Sequence, residues 1–187
     1  MVDLDAEILA TVGRVEQSHL NWMMGMGVSS SAIARLGKTQ EPFGIGRVEF
    51  VGSDYWQPHD GPAAIGSIVQ PVYEDGQIID LIAWRSLKPR DWRWRVGEAW
   101  ALGADSLHGD PWTGFASIRL HSTPLAWLAA GGEGLTILNW QSAALRALSN
   151  FEEIICADST AADRLHQILC RPARLPKITT RIKQRVA

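Results

Sequence analysis

Apolar residues recur every three or four positions from 3 to 24, where Ile8, Val12, Val15, His19 or Leu20, and Met23 or Met24 share one side. That spacing predicts an amphipathic helix, with Asp3 placed to cap its start. Gly25 and Gly27 break the run, and the serines at 29–31 open a second short helix that Gly37 ends. The period then falls to two. Val48 and Phe50 alternate with Arg47 and Glu49, which predicts a strand with one wet face. After a polar, aromatic loop containing Pro58, two apolar runs at 64–73 and 77–86 flank Glu74-Asp75-Gly76. Asp-Gly between alternating apolar runs predicts a β-hairpin. Trp92 and Trp94 then alternate with Arg93 and Arg95, as in an edge strand with two unlike faces, and 97–103 reads as a turn or short helix.

From 115 to 158 the order reads strand, helix, strand, helix, strand, with Gly131-Gly132 closing the first helix and Asp158 ending the last strand. Each return to a parallel neighbour needs a crossover, so this order predicts a parallel sheet. Ligands of such sheets sit beyond the carboxyl ends of the strands, here at His121, Asn139 and Asp158. A final helix, capped by Ser159 or Thr160, stops at Pro172. The expected fold is mixed α/β. It has an N-terminal helical pair in 1–40, an antiparallel hairpin layer within 41–112, a compact parallel βαβαβα core in 113–172 and a basic tail in 173–187.

A length of 187 residues suits one domain with at most a small appendage, and 46% hydrophobic with 20% charged residues is enough to bury a core. The net charge of -2 excludes a strongly basic nucleic-acid protein on composition alone. Nine tryptophans imply either a Trp-rich core or an interaction face, the core being the plainer reading. Cys156 and Cys170 lack CxxC or His spacing and read as a reduced, buried pair. The start, VDLDAEI, is acidic and has no signal-peptide pattern, and no run approaches a membrane span, so a cytoplasmic chain is expected.

Several segments carry candidate chemistry. Trp92, Arg93, Trp94 and Arg95 interleave rings and cations as a stacking platform for single-stranded nucleic acid does; the plainer reading is an edge strand with its arginines solvated. The two N-terminal helices have a helix-turn-helix outline, but the second offers only Arg35 and Lys38 as bases, which favours packing over DNA reading. The tail carries Arg171, Arg174, Lys177, Arg181, Lys183 and Arg185 with no acid, a pattern that binds phosphates by charge or is simply solvated. His121, Ser122 and Asp158 do not make a nucleophile set, because neighbours on a strand end face opposite ways, and no G-x-S-x-G elbow is present. GGEG at 131–134 lacks the frame of a phosphate loop. His59-Asp60 and His108-Gly-Asp110 offer too few ligands for a metal.

The hairpin at 65–84, the PLAWLAAGG helix, the GLTILN strand and the EEIICADSTAADRLHQIL strand and helix together resemble the Toprim domain of primases and topoisomerases, and more narrowly the primase-like proteins of prophages and mobile elements. The likeness covers roughly 63–170 and implies a Toprim-like core. Toprim enzymes hold Mg²⁺ with a Glu after the first strand and an Asp-x-Asp after the third. Here His121 or Ser122 stands at the first place, Asp158 is kept, and Thr160 replaces the second Asp; Glu133 is the nearest spare acid. The resemblance therefore implies lost catalysis and a binding module for nucleic acid or a replication partner, with Trp92, Arg93, Trp94, Arg95, Arg181, Lys183 and Arg185 as contacts. Two alternatives stand beside it. One is a small divalent-metal phosphotransfer enzyme or nuclease using Asp158, His121 and Glu133 with Mg²⁺. The other is a homo-oligomer joined through exposed tryptophans.

Overall fold

A computed structural model describes residues 2–107 and 115–170. The N-terminal segment holds three helices where two were expected: α1 (Leu4–Val12), α2 (Gln17–Gly25) and α3 (Ser30–Leu36). Asp3 caps α1 by accepting the Ala6 N–H at 3.0 Å. Gly13 then ends α1, so the long periodic run splits before α2 starts. Ser29 caps α3 by accepting from the Ala32 N–H at 3.1 Å. Five strands follow: β1 (Gly44–Val51), β2 (Tyr55–Pro58), β3 (Ile65–Glu74), β4 (Gln77–Arg85) and β5 (Lys88–Trp94). They close into a barrel in the order β1-β2-β5-β4-β3. The β3–β4 hairpin forms at the Asp-Gly turn, with Asp75 and Gly76 both at positive φ.

Closure comes from the segments whose hydrophobic signal is weakest. β2 pairs antiparallel with β1 and touches β5 through one parallel pair, Tyr55 with Trp94, reinforced by the Trp94 N–H donating to the Asp54 carbonyl at 2.8 Å. Strands β3 and β4 are buried on both faces. Val69, Leu81 and Ala83 join Val48 and Trp56 against Ile8 of α1. Ile68, Val72, Ile82 and Trp84 face the other way, into a cluster with Met23, Val28, Leu36, Trp127 and Leu128.

The expected parallel βαβαβα core is not present. Strands β7 (Phe115–Leu120) and β9 (Phe151–Cys156) do pair in parallel, with α4 (Pro124–Ala129) and α5 (Ser159–Leu169) nearby. The middle strand, however, meets β7 only through a single bridge, Leu120 to Leu135. Its next residues form β8 (Thr136–Ile137), which pairs antiparallel with β6 (Ala101–Leu102). The second crossover, expected as an α-helix, is a 3₁₀ helix, Ala143–Asn150. Its buried leucines, Leu145 and Leu148, are three apart, which suits three residues per turn. The dominant sheet is thus the mixed barrel, and the parallel element is a two-stranded appendage with its own cluster of Leu120, Leu135, Ile137, Leu145, Leu148 and Leu165. The basic tail at 173–187 lies outside the described residues. No helix among the described residues is long and apolar enough to cross a membrane.

Candidate functional site

Strand β5 of the barrel meets the carboxyl ends of β7 and β9 along one cavity and the 138–141 segment with Arg164 along a second that adjoins it, each of about 430 Å³. The first is lined by Arg90, Trp92, His121, Ser122, Asp158 and Arg164 among others. The second is lined by Tyr55, Trp94, Asn139, Gln141 and their neighbours. Trp140 and Arg164 belong to both and mark their junction, where the Arg164 guanidinium lies 4.6 Å from the centre of the Trp140 ring. Volumes of this size suit a ligand the size of a nucleotide.

Two features of the barrel supply the aromatic wall. The alternation along β5 sends Trp92 and Trp94 to the side of Ile82 and Trp84, where they remain half-buried. The Trp94 indole N–H donates to the Ala99 carbonyl at 3.1 Å, which fixes its ring. Asp80 of β4 then holds the turn that follows β5. This fully buried carboxylate accepts six backbone N–H groups: Leu81, Arg95 and Val96 at Oδ1, and Gly97, Glu98 and Ala99 at Oδ2, at 2.8–3.2 Å. Gly97, at φ +97, lies in the second cavity wall against the Tyr55 ring.

The arginines expected beside these tryptophans are not in the groove. Arg93 and Arg95 share the opposite face with Ala83 and Leu81. Arg93 bonds Asp91 at 2.5 Å and lies over the Phe50 ring. Arg95 grips Glu7 of α1 with two bonds, at 2.8 and 2.9 Å, and lies over Trp56. Burial raises the Asp91 carboxyl pKa, but the hydrogen bonds and charges of Arg93 and Arg85 outweigh it, and the net pKa falls below the usual value. The cations that do face the groove are Arg90 and Arg164, both exposed. Arg181, Lys183 and Arg185 lie outside the described residues.

The three candidate catalytic groups are only partly brought together. His121 and Asp158 line the same cavity. The His121 Nε2 lies 2.9 Å from the Glu133 carbonyl oxygen; since that oxygen can only accept, Nε2 carries the proton. Burial lowers the His121 pKa, the Arg119 charge adds to this, and the carbonyl bond opposes it. Asp158 caps α5, its Oδ1 accepting the Ala161 N–H at 2.8 Å, while Oδ2 lies 4.0 Å from Arg90. The Glu133 carboxylate points away to Arg35 of α3, at 2.6 Å. Arg35 also bonds the Ala130 carbonyl, so the one arginine of α3 is engaged in joining α3 to α4, as the packing reading of this helix expects. No three His, Cys, Asp or Glu side chains among the described residues are grouped to hold a metal ion.

Among the described residues, seven of the tryptophans divide between core and groove, and Trp22 is half-buried in a separate cavity beside Met23 and Phe43. Trp56, Trp84, Trp100 and Trp127 are buried, whereas Trp92, Trp94 and Trp140 stay half-buried along the cavities. The expected pair of buried cysteines is not found: Cys156 is half-buried, and Cys170 is exposed beside His166. Burial pushes the Cys156 thiol pKa up, and the Asp158 charge adds to the shift. Sequence reasoning missed Tyr55, Arg90, Trp140 and Arg164 as one group, because they come from three elements and a turn with no shared period. No family model, curated protein or solved structure matches the chain.

Proposed function

We propose that the chain is a non-catalytic module that takes single-stranded nucleic acid into the groove between β5 and the β7–β9 unit. The observation that carries this reading is the Arg164–Trp140 stack at the junction of two cavities walled by Trp92, Trp94 and Tyr55. Half-buried rings in a concave wall offer faces to unstacked bases, and neighbouring guanidiniums offer fork-shaped donors to phosphates. A duplex, with its bases stacked inside, presents no such faces. The sequence adds a source of charge. Six of the 18 basic residues fall in 171–187, and without them twelve Lys and Arg face 20 acids. The tail is therefore where long-range attraction for phosphates is concentrated, while the groove supplies stacking. Kinship with primase-like proteins of mobile elements belongs to the same proposal and rests on the sequence resemblance alone, the hairpin it includes being part of the barrel here.

Asp158, His121 and Glu133 are assigned no bond-breaking step, since capping, a carbonyl bond and an ion pair already account for them. Titration of the full chain with a short oligothymidylate, followed by tryptophan fluorescence, tests the proposal. Quenching is expected, with affinity falling as salt rises. Trp140→Ala should weaken binding roughly 5- to 150-fold, the range for loss of one stacked base. Absence of binding, or an unchanged affinity in Trp140→Ala, overturns it.

A further inference from the structure

Resting on that reading, we infer that Asp158 is a built-in competitor for the groove's phosphate-binding arginine, setting its affinity below what the other groups allow. Three observations converge. Asp158 and Arg90 line the same cavity, and their charged groups lie 4.0 Å apart. Arg90 is anchored on β5 with its side chain 75% exposed, so its guanidinium is free to turn toward a ligand. The Asp158 carboxylate cannot swing aside at no cost, because its other oxygen caps α5 through the Ala161 N–H at 2.8 Å. A phosphate entering the cavity must therefore displace a fixed carboxylate from Arg90 and then sit beside it.

The two jobs of Asp158 are chemically separable. Capping needs a side-chain oxygen, which asparagine and serine supply as well as aspartate does. Competition for Arg90 needs the negative charge. Asp158→Asn and Asp158→Ser thus keep the helix start and release the arginine, and two replacements guard against one of them failing to fold.

The experiment measures oligothymidylate affinity across a salt series for the wild type, both variants and Arg90→Ala with and without Asp158→Asn. Both charge-free variants should bind about twofold to fivefold tighter, the range for freeing one exposed ion pair. Their dependence on salt should steepen by about 0.7 in the logarithmic slope, the effect of one further net positive charge meeting a single strand. In the Arg90→Ala background the gain should shrink. Variants that bind no tighter than a wild type that does bind overturn this inference and leave the groove standing. If neither wild type nor variants bind, the inference and the groove fall together.

Discussion

Replacing Asp80 should loosen the aromatic wall, because its carboxylate holds the turn that follows β5. Six backbone N–H groups converge on its two oxygens in a site with no solvent exposure. They are not equal. The Arg95 N–H also reaches the Leu81 carbonyl at 2.8 Å, and Val96, Gly97 and Glu98 are exposed enough to meet water once the carboxylate is gone. Leu81 and Ala99 are fully buried and have no such recourse. Stranding a buried donor costs about 1–3 kcal/mol, and bonds to a charged acceptor are worth about 1.5–3 kcal/mol each. Two stranded donors plus partly rehydrated exposed ones give about 4 kcal/mol for Asp80→Ala. Asp80→Asn keeps the volume and one acceptor oxygen but sets an NH₂ group against Gly97, Glu98 and Ala99, for about 2 kcal/mol. Urea unfolding followed by tryptophan fluorescence measures both. If Asp80→Asn lies within about 0.5 kcal/mol of the wild type, the carboxylate is not holding the turn and the reasoning fails.

Further outcomes follow from the same geometry. Gly134 sits at φ +76, and a Cβ there would collide with the Arg119 carbonyl oxygen. Gly134→Ala should therefore cost about 2–4 kcal/mol by thermal or urea unfolding, and a neutral result would contradict the close approach. His121 has its pKa lowered from 6.5 in the folded state, so stability is full above that value and declines as pH falls from it toward the lowered one. His121→Gln keeps a donor for the Glu133 carbonyl and should flatten the decline below pH 6.5. The contribution of Asp91, whose folded pKa lies below 3.8, is lost only under more acid conditions, which separates the two in a pH series.

How much of this was legible in the sequence depended on whether the signal was local. The β3–β4 hairpin, the Asp3 and Ser29 caps and the two unlike faces of β5 are written in neighbouring residues, and the structure has them. Barrel closure was not legible, because it rests on β2, four residues read as polar loop, and on a single pair to β5. The parallel core failed for a related reason. The run 134–139 has strand composition, but composition does not choose a partner, and Thr136 and Ile137 pair with β6 instead of extending beside β7. Faces were misassigned where a side chain had a hidden partner. Arg93 and Arg95 look like groove cations until Asp91, Glu7 and the rings of Phe50 and Trp56 are seen to hold them. Asp80, apolar on both sides in sequence, carries no local signal of its role as the clamp on the turn beyond β5.

The central claim concerns which tryptophans meet a ligand, and nine indole N–H groups make that visible by nitrogen–proton correlation spectra during an oligothymidylate titration. The account predicts that the Trp92, Trp94 and Trp140 signals move together and saturate, while those of the buried Trp56 and Trp84 stay in place. Signals that never move, or movement that spares Trp140, would contradict it.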